Sequence, residues 1–109
     1  MTLFYSHLLS DLEKIHEAIE KLPVSRKEKQ EAKKIVEKTM YHAVVDIILE
    51  HLHEDHHERV LVEIYRTPGN RDILELVNTL SGKNIERILQ SRLQELQMEL
   101  LEDLMNNDE

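Results

Sequence analysis

Residues 53–59 read His-Glu-Asp-His-His-Glu-Arg, seven positions without an apolar side chain, set between two stretches of helical apolar spacing. Ile47, Ile48 and Leu52 precede this gap, and Val60, Leu61, Ile64 and Tyr65 follow it. If one helix ran through, its apolar stripe would reappear rotated by roughly 140° from where it left off. A helix with such a jump cannot bury both halves against the same neighbour, so a chain reversal is predicted within 53–55. Asp55-x-x-Glu58 supplies a capping box to start the next helix at the same place. A phase jump and a start signal coincide, and the chain is expected to fold back on itself.

The elements on either side are helical. Gly and Pro total four of 109 residues, and Val, Ile and Thr do not alternate with polar residues as strands require. The fold class read from this pattern is all-α, a compact bundle of about five helices over approximately 3–22, 25–53, 56–66, 71–80 and 83–105. In helix one, Phe4, Leu8, Leu12, Ile15, Ile19 and Leu22 form one narrow stripe that Pro23 ends. Ser25-x-x-Glu28 is a capping box for helix two, whose apolar face runs from Ala32, Ile35 and Val36 to Leu52. Thr67-Pro68-Gly69-Asn70 is turn chemistry with Asn70 as the expected cap of helix four, and Ser81-Gly82 ends that helix. A chain of this length is one domain, 1–109, with 106–109 expected to fray.

Helices one and five carry the narrowest stripes, of the kind that pack as helix-to-helix seams. The interface candidates are Leu89, Leu93, Leu96, Leu100 and Leu104 on helix five, and Leu8, Leu12, Ile15 and Ile19 on helix one. They can close within one chain or between two. With only four aromatic residues, a core this small gains from pairing, and a homodimer is expected.

Charge narrows the partners. The net charge is −8, and from Glu95 onward there are six acidic residues and no basic one. Such a surface repels phosphate backbones, so no nucleic-acid partner is expected. No stretch is long and apolar enough to span a bilayer, which leaves the membrane out and makes the cytoplasm the expected location. Without cysteine there is no disulfide or thiolate chemistry. Two glycines cannot build a P-loop or Rossmann turn, and no nucleophile–base pair or cofactor motif is visible.

Five of the seven histidines lie within 42–57. His53-Glu54-x-x-His57 matches the zinc-hydrolase pattern, in which two histidines on one helical turn hold the metal and the glutamate polarises a water. The predicted break falls inside the pattern and separates its two ends, so no metal site is expected. If one forms, His53, His56 and His57 are its ligands. Glu13-x-x-His16 and Glu50-x-x-His53 form the paired motif of di-iron bundles, but these side chains point away from the apolar stripes instead of inward. The expectation is a solvated, histidine-rich corner, with His51 partly buried beside Ile47 and Ile48. Six bases near the start of helix two (Arg26, Lys27, Lys29, Lys33, Lys34 and Lys38) interleave with glutamates, as on a salt-bridged solvent face.

From about residue 45 to 104 the order of features is an apolar helix end, the polar stretch, a short helix and a Pro/Gly turn. Asn84-Ile85-Glu86 and a closing Leu100-Leu101-Glu102-Asp103-Leu104 follow. This order resembles a group of short, acidic, uncharacterised helical proteins common in candidate-phyla-radiation bacteria. That group has no established activity, so the resemblance implies a bacterial cytosolic protein and transfers no functional residues. The reading taken forward is a non-enzymatic helical protein–protein interaction or oligomerisation module. The alternatives are a metal-binding protein or minimal zinc hydrolase at His53, Glu54 and His57, and an acidic nucleic-acid mimic.

Overall fold

In the computed structural model, which describes residues 2–106, the chain is five α-helices with two short 3-10 turns and, among the described residues, no strand. The helices are α1 (Leu12–Glu20), α2 (Arg26–Glu50), α3 (His57–Arg66), α4 (Asp72–Ser81) and α5 (Ile85–Met105). The frayed end expected at 106–109 lies, beyond Asn106, outside the described residues. The molecule measures 47 × 24 × 21 Å, longer than a compact bundle, because α2 alone has 25 residues and extends roughly 38 Å. α1 packs along α5, α2 leans on both, and α3 and α4 form a hairpin across one end.

Local chemistry explains most boundaries. Ser25 accepts a hydrogen bond from the Glu28 N–H and donates through its hydroxyl to the Glu28 carboxylate, so the predicted box starts α2. Asn70 Oδ1 accepts from the Asp72 N–H at the start of α4, and Asn84 Oδ1 accepts from the Arg87 N–H at the start of α5. Gly82 ends α4 in the left-handed conformation (φ 70°), which costs residues with a Cβ far more than glycine. Gly69 is needed for another reason. A Cβ there would lie 2.8 Å from the Thr2 carbonyl oxygen, so only glycine lets the N-terminal segment pass the α3–α4 turn.

Helix one does not begin at residue 3 as its stripe suggests. The first α-helical residue is Leu12, and the preceding segment is a 3-10 turn, Ser6–Leu8, with extended or turn backbone around it. Two interactions displace the helix. The Ser6 hydroxyl accepts from the Leu3 N–H at 2.8 Å, a local bond that competes with helical pairing. The Phe4 N–H donates to the Pro68 carbonyl at 2.7 Å, which ties the segment to the α3–α4 turn. Phe4 and Tyr5 can then both be buried, edge to face at 5.1 Å, although a helix would splay neighbouring residues by about 100°. The stripe residues remain in or against the core even where the helix is absent.

α1 and α5 close the seam within one chain. Ile15, Ile19, Leu89 and Leu93 have no exposed surface, Leu8 is buried, and Leu12, Leu96, Leu100 and Leu104 are half-buried against the same core. Gln97 sits among them with none of its surface exposed. Its Oε1 accepts from the Asp11 N–H at 3.0 Å and its Nε2 donates to the Leu93 carbonyl. Asp11 precedes α1 and makes no side-chain cap. The glutamine of α5 thus satisfies an N–H at the start of α1 and fixes where the two helices meet.

Tyr5 is an exception to this pairing of polar groups. Its hydroxyl is buried without a hydrogen-bond partner, and burial, reinforced by Tyr41 and Glu37, pushes its pKa up to about 12. The folded state therefore prefers the neutral phenol. The corresponding stability is complete below pH 10 and is lost as pH rises towards 12, where the unfolded chain ionises first. Tyr5→Phe should abolish this alkaline loss in urea titrations at pH 8 and pH 11. At pH 8 it should leave stability unchanged or raise it by about 1 kcal/mol, because the removed group had no partner. A clear loss at pH 8 would mean that the hydroxyl is bonded in solution.

Candidate functional site

The histidine corner forms where the sequence breaks. α2 ends at Glu50, His53 takes an extended conformation (φ −62°, ψ 143°), and a 3-10 turn, Glu54–His56, leads into α3. The cap is His53 itself, not the expected Asp55. His53 Nδ1 accepts from the Asp55 N–H at 3.2 Å, and Asp55 lies inside the turn it was expected to begin. The Asp55 carboxylate is 3.3 Å from the same nitrogen. One nitrogen cannot accept and donate at once. The neutral ring serves the backbone N–H, and a proton on Nδ1 would transfer the ring to the carboxylate.

His57 acts on the other side of the corner. Its Nε2 lies 3.0 Å from both the Leu49 and the Leu52 carbonyl oxygens. Both partners are acceptors, so Nε2 carries a proton and donates to them. The Leu49 carbonyl already accepts from the Leu52 N–H, so the first residue of α3 adds a second donor there and serves the Leu52 carbonyl just beyond α2. His51, half-buried as expected, accepts at Nδ1 from the Lys83 ammonium at 3.0 Å and joins the corner to the α4–α5 turn.

This geometry gives the zinc-hydrolase letters a structural use. His53 and His57 are not on one helical turn, because the residue between α2 and the 3-10 turn is extended. Nε2 of His57, committed to two carbonyls, has no lone pair to offer an ion. Among the described residues, no three His, Cys, Asp or Glu side chains converge to hold a metal. The di-iron pattern is also dispersed. Glu13 is exposed, His16 is half-buried with its Nε2 shielded and unpartnered, and Glu50 lies 3.6 Å from Arg92.

The basic cluster at the start of α2 has a partner in its own chain. Lys33 Nζ is 2.6 Å and Arg26 3.3 Å from the Glu20 carboxylate, which closes α1. The Lys33 hydrogen bond, helped by the charges of Arg26 and Lys29, holds that carboxyl below its ordinary pKa. At the other end, Glu86 in the first turn of α5 receives His7 and Arg71, linking three segments distant in sequence.

Two surface features lie outside these pairings. The first is apolar. Tyr65 is 87% exposed, Ile35 64%, Leu61 40% and Val62 39%. Leu61, Val62 and Tyr65 of α3 and Tyr41 of α2 line an open groove of about 720 Å3, and a second depression continues past Tyr41 to Ile35. Ile35 was expected on the buried face of α2 and instead faces water. α3 packs chiefly on α4 and the 3-10 turn, which leaves its side towards α2 uncovered. The second feature is acidic. Asp46 and Glu50 on α2 face Glu95 and Glu99 on α5 across a groove of about 400 Å3 floored by Ile47 and Leu96, with Arg92 the one base lining it.

Comparison of the chain with protein-family models, curated proteins and solved structures finds no match. No helix among the described residues is long and apolar enough to cross a membrane.

His57→Ala removes two hydrogen bonds from the end of α2 and should lower stability by about 1–2 kcal/mol, a fall of roughly 4–12 °C in the thermal midpoint. The metal-free protein should show this loss in full. A midpoint that falls only when zinc is present in the wild-type sample would restore the metal reading of His57.

Proposed function

We propose that the protein is a non-enzymatic interaction module, working in the cytoplasm, whose docking surface is the apolar groove between α2 and α3. The observation that carries this reading is the exposure of Leu61, Val62 and Tyr65 beside Tyr41 around one open groove. Contiguous apolar surface rimmed by charge is the usual mark of a partner site, and tyrosine supplies contact area at small entropic cost. The seams of α1 and α5 pack mainly against each other inside the chain, so the interaction role is assigned to this face instead. In capture from host extract, the wild type should retain a partner, itself or another protein, that Leu61→Asp and Tyr65→Asp both lose while keeping wild-type circular dichroism. Equal retention by all three proteins would count against the groove.

A second reading has an observation of its own. The two carboxylate pairs on α2 and α5 form an ordered acidic row, as a nucleic-acid mimic would present to a basic protein. Calorimetry with a lysine-rich peptide distinguishes the two. Binding that rises steeply as salt falls, and that disappears when Glu95 and Glu99 are changed to Gln, would favour the mimic. Absence of binding at low salt would remove it.

A further inference from the structure

We propose that the occupant of the α2–α3 groove is a second copy of this chain, whose α3 lies antiparallel to the first about a two-fold axis close to Val62. The inference rests on reading the groove as a docking surface, and it names the partner.

α3 is built for two neighbours. Val60 and Ile64 are buried against the core, and Leu61, Val62 and Tyr65 extend the apolar arc of the same helix to roughly 200°. A surface helix with one neighbour needs about half of that arc. The α4 hairpin covers the first half, and among the described residues the second is left partly open, with Leu61 40%, Val62 39% and Tyr65 87% exposed.

Charge selects the partner. On a chain of net charge −8, most faces of two copies repel one another. The rim of this groove is balanced, with Lys34, Lys38 and Arg66 against Glu37, Glu54 and Glu58. The acidic groove between α2 and α5 has four carboxylates and one arginine, and two copies could not approach there. Among the residues lining the groove the charges are also ordered, with Glu54 of the 3-10 turn and Glu58 near the start of α3 and Arg66 at its end. Reversing a second α3 about Val62 sets Arg66 of the partner subunit opposite Glu58 and makes the reciprocal pair by symmetry. An isologous interface needs this self-complementarity. A stable dimer buries about 800 Å2 per partner. α3 alone is too short to supply it, and the continuation past Tyr41 to Ile35 extends the contact along α2.

Sedimentation of the full chain over a wide concentration range tests the proposal. The wild type should show a reversible monomer–dimer equilibrium. Glu58→Arg and Arg66→Glu should each weaken it roughly tenfold or more, and the double variant should regain dimerisation because the pair is merely exchanged. Val62→Cys introduces the chain's one thiol, and mild oxidation should link it to its own image faster than a thiol placed at exposed Glu13. All of these positions are exposed or half-exposed, and circular dichroism checks that each variant is folded. A wild type that stays monomeric overturns self-association but leaves the groove open to a different protein, which the capture experiment would identify. A dimer indifferent to both charge reversals, or a double variant that stays weak, overturns the antiparallel arrangement.

Discussion

The arrangement of this protein depends on the proton that His57 gives to the end of α2. A 25-residue helix ending at a sharp corner leaves its last carbonyl groups without intrahelical partners, and the following turn serves Ile48 and Leu49 through the His51 and Leu52 N–H groups. The imidazole of the next helix reaches back to Leu49 and Leu52 and serves both. His53 meanwhile ends the extended residue by accepting from Asp55, so two rings fix the angle between α2 and α3. That angle directs α3 onto α4 and away from the length of α2. The uncovered side of α3 follows directly, and with it the groove lined by Tyr41 and Tyr65.

The other end of the bundle is fixed by a different polar group. Gln97 lies at a heptad-like position of α5, where an aliphatic residue would have extended the stripe. Its two hydrogen bonds set the start of α1 against α5, and the aliphatic residues around it complete the seam. A buried amide with both ends satisfied specifies where helices meet as well as whether they meet. Most of the aliphatic stripe of α1 and α5 is thereby used in folding, whereas α3 keeps Leu61, Val62 and Tyr65 exposed.

The number of helices, the corner, the cap at Ser25, the turn at Asn70 and the stop at Gly82 were all legible, because each is written in residues close together in the chain. What was hidden depends on residues far apart. Nothing near Leu3 announces that the Phe4 N–H will find Pro68 or that Gly69 makes room for Thr2. Periodicity put Ile35 on a buried face because a drifting stripe does not reveal how far its neighbour extends. Gln97 carries no mark of burial in the sequence because its partner, the Asp11 N–H, is 86 positions away. The histidine motif was legible as letters only. Its use as a clasp depends on which nitrogen meets which carbonyl, and spacing alone does not carry that. The outward half of α3 could have been suspected from Val60, Leu61, Val62, Ile64 and Tyr65, five apolar residues in six on a helix too short to be buried all round.

The two surface grooves stand in a definite relation through α2. At helical pitch, the residues lining the acidic groove (Ala43, Asp46, Ile47 and Glu50) point roughly opposite to those lining the apolar one (Lys34, Glu37, Lys38 and Tyr41). They also occupy successive stretches of the helix, so a body held on one side does not obstruct the other. Their chemistry differs as sharply as their direction. The rim of the apolar groove balances acids and bases, whereas the acidic groove carries four carboxylates and one arginine. A single long helix, held between a serine cap at one end and a histidine clasp at the other, thus carries the apolar groove and the acidic groove on opposite faces.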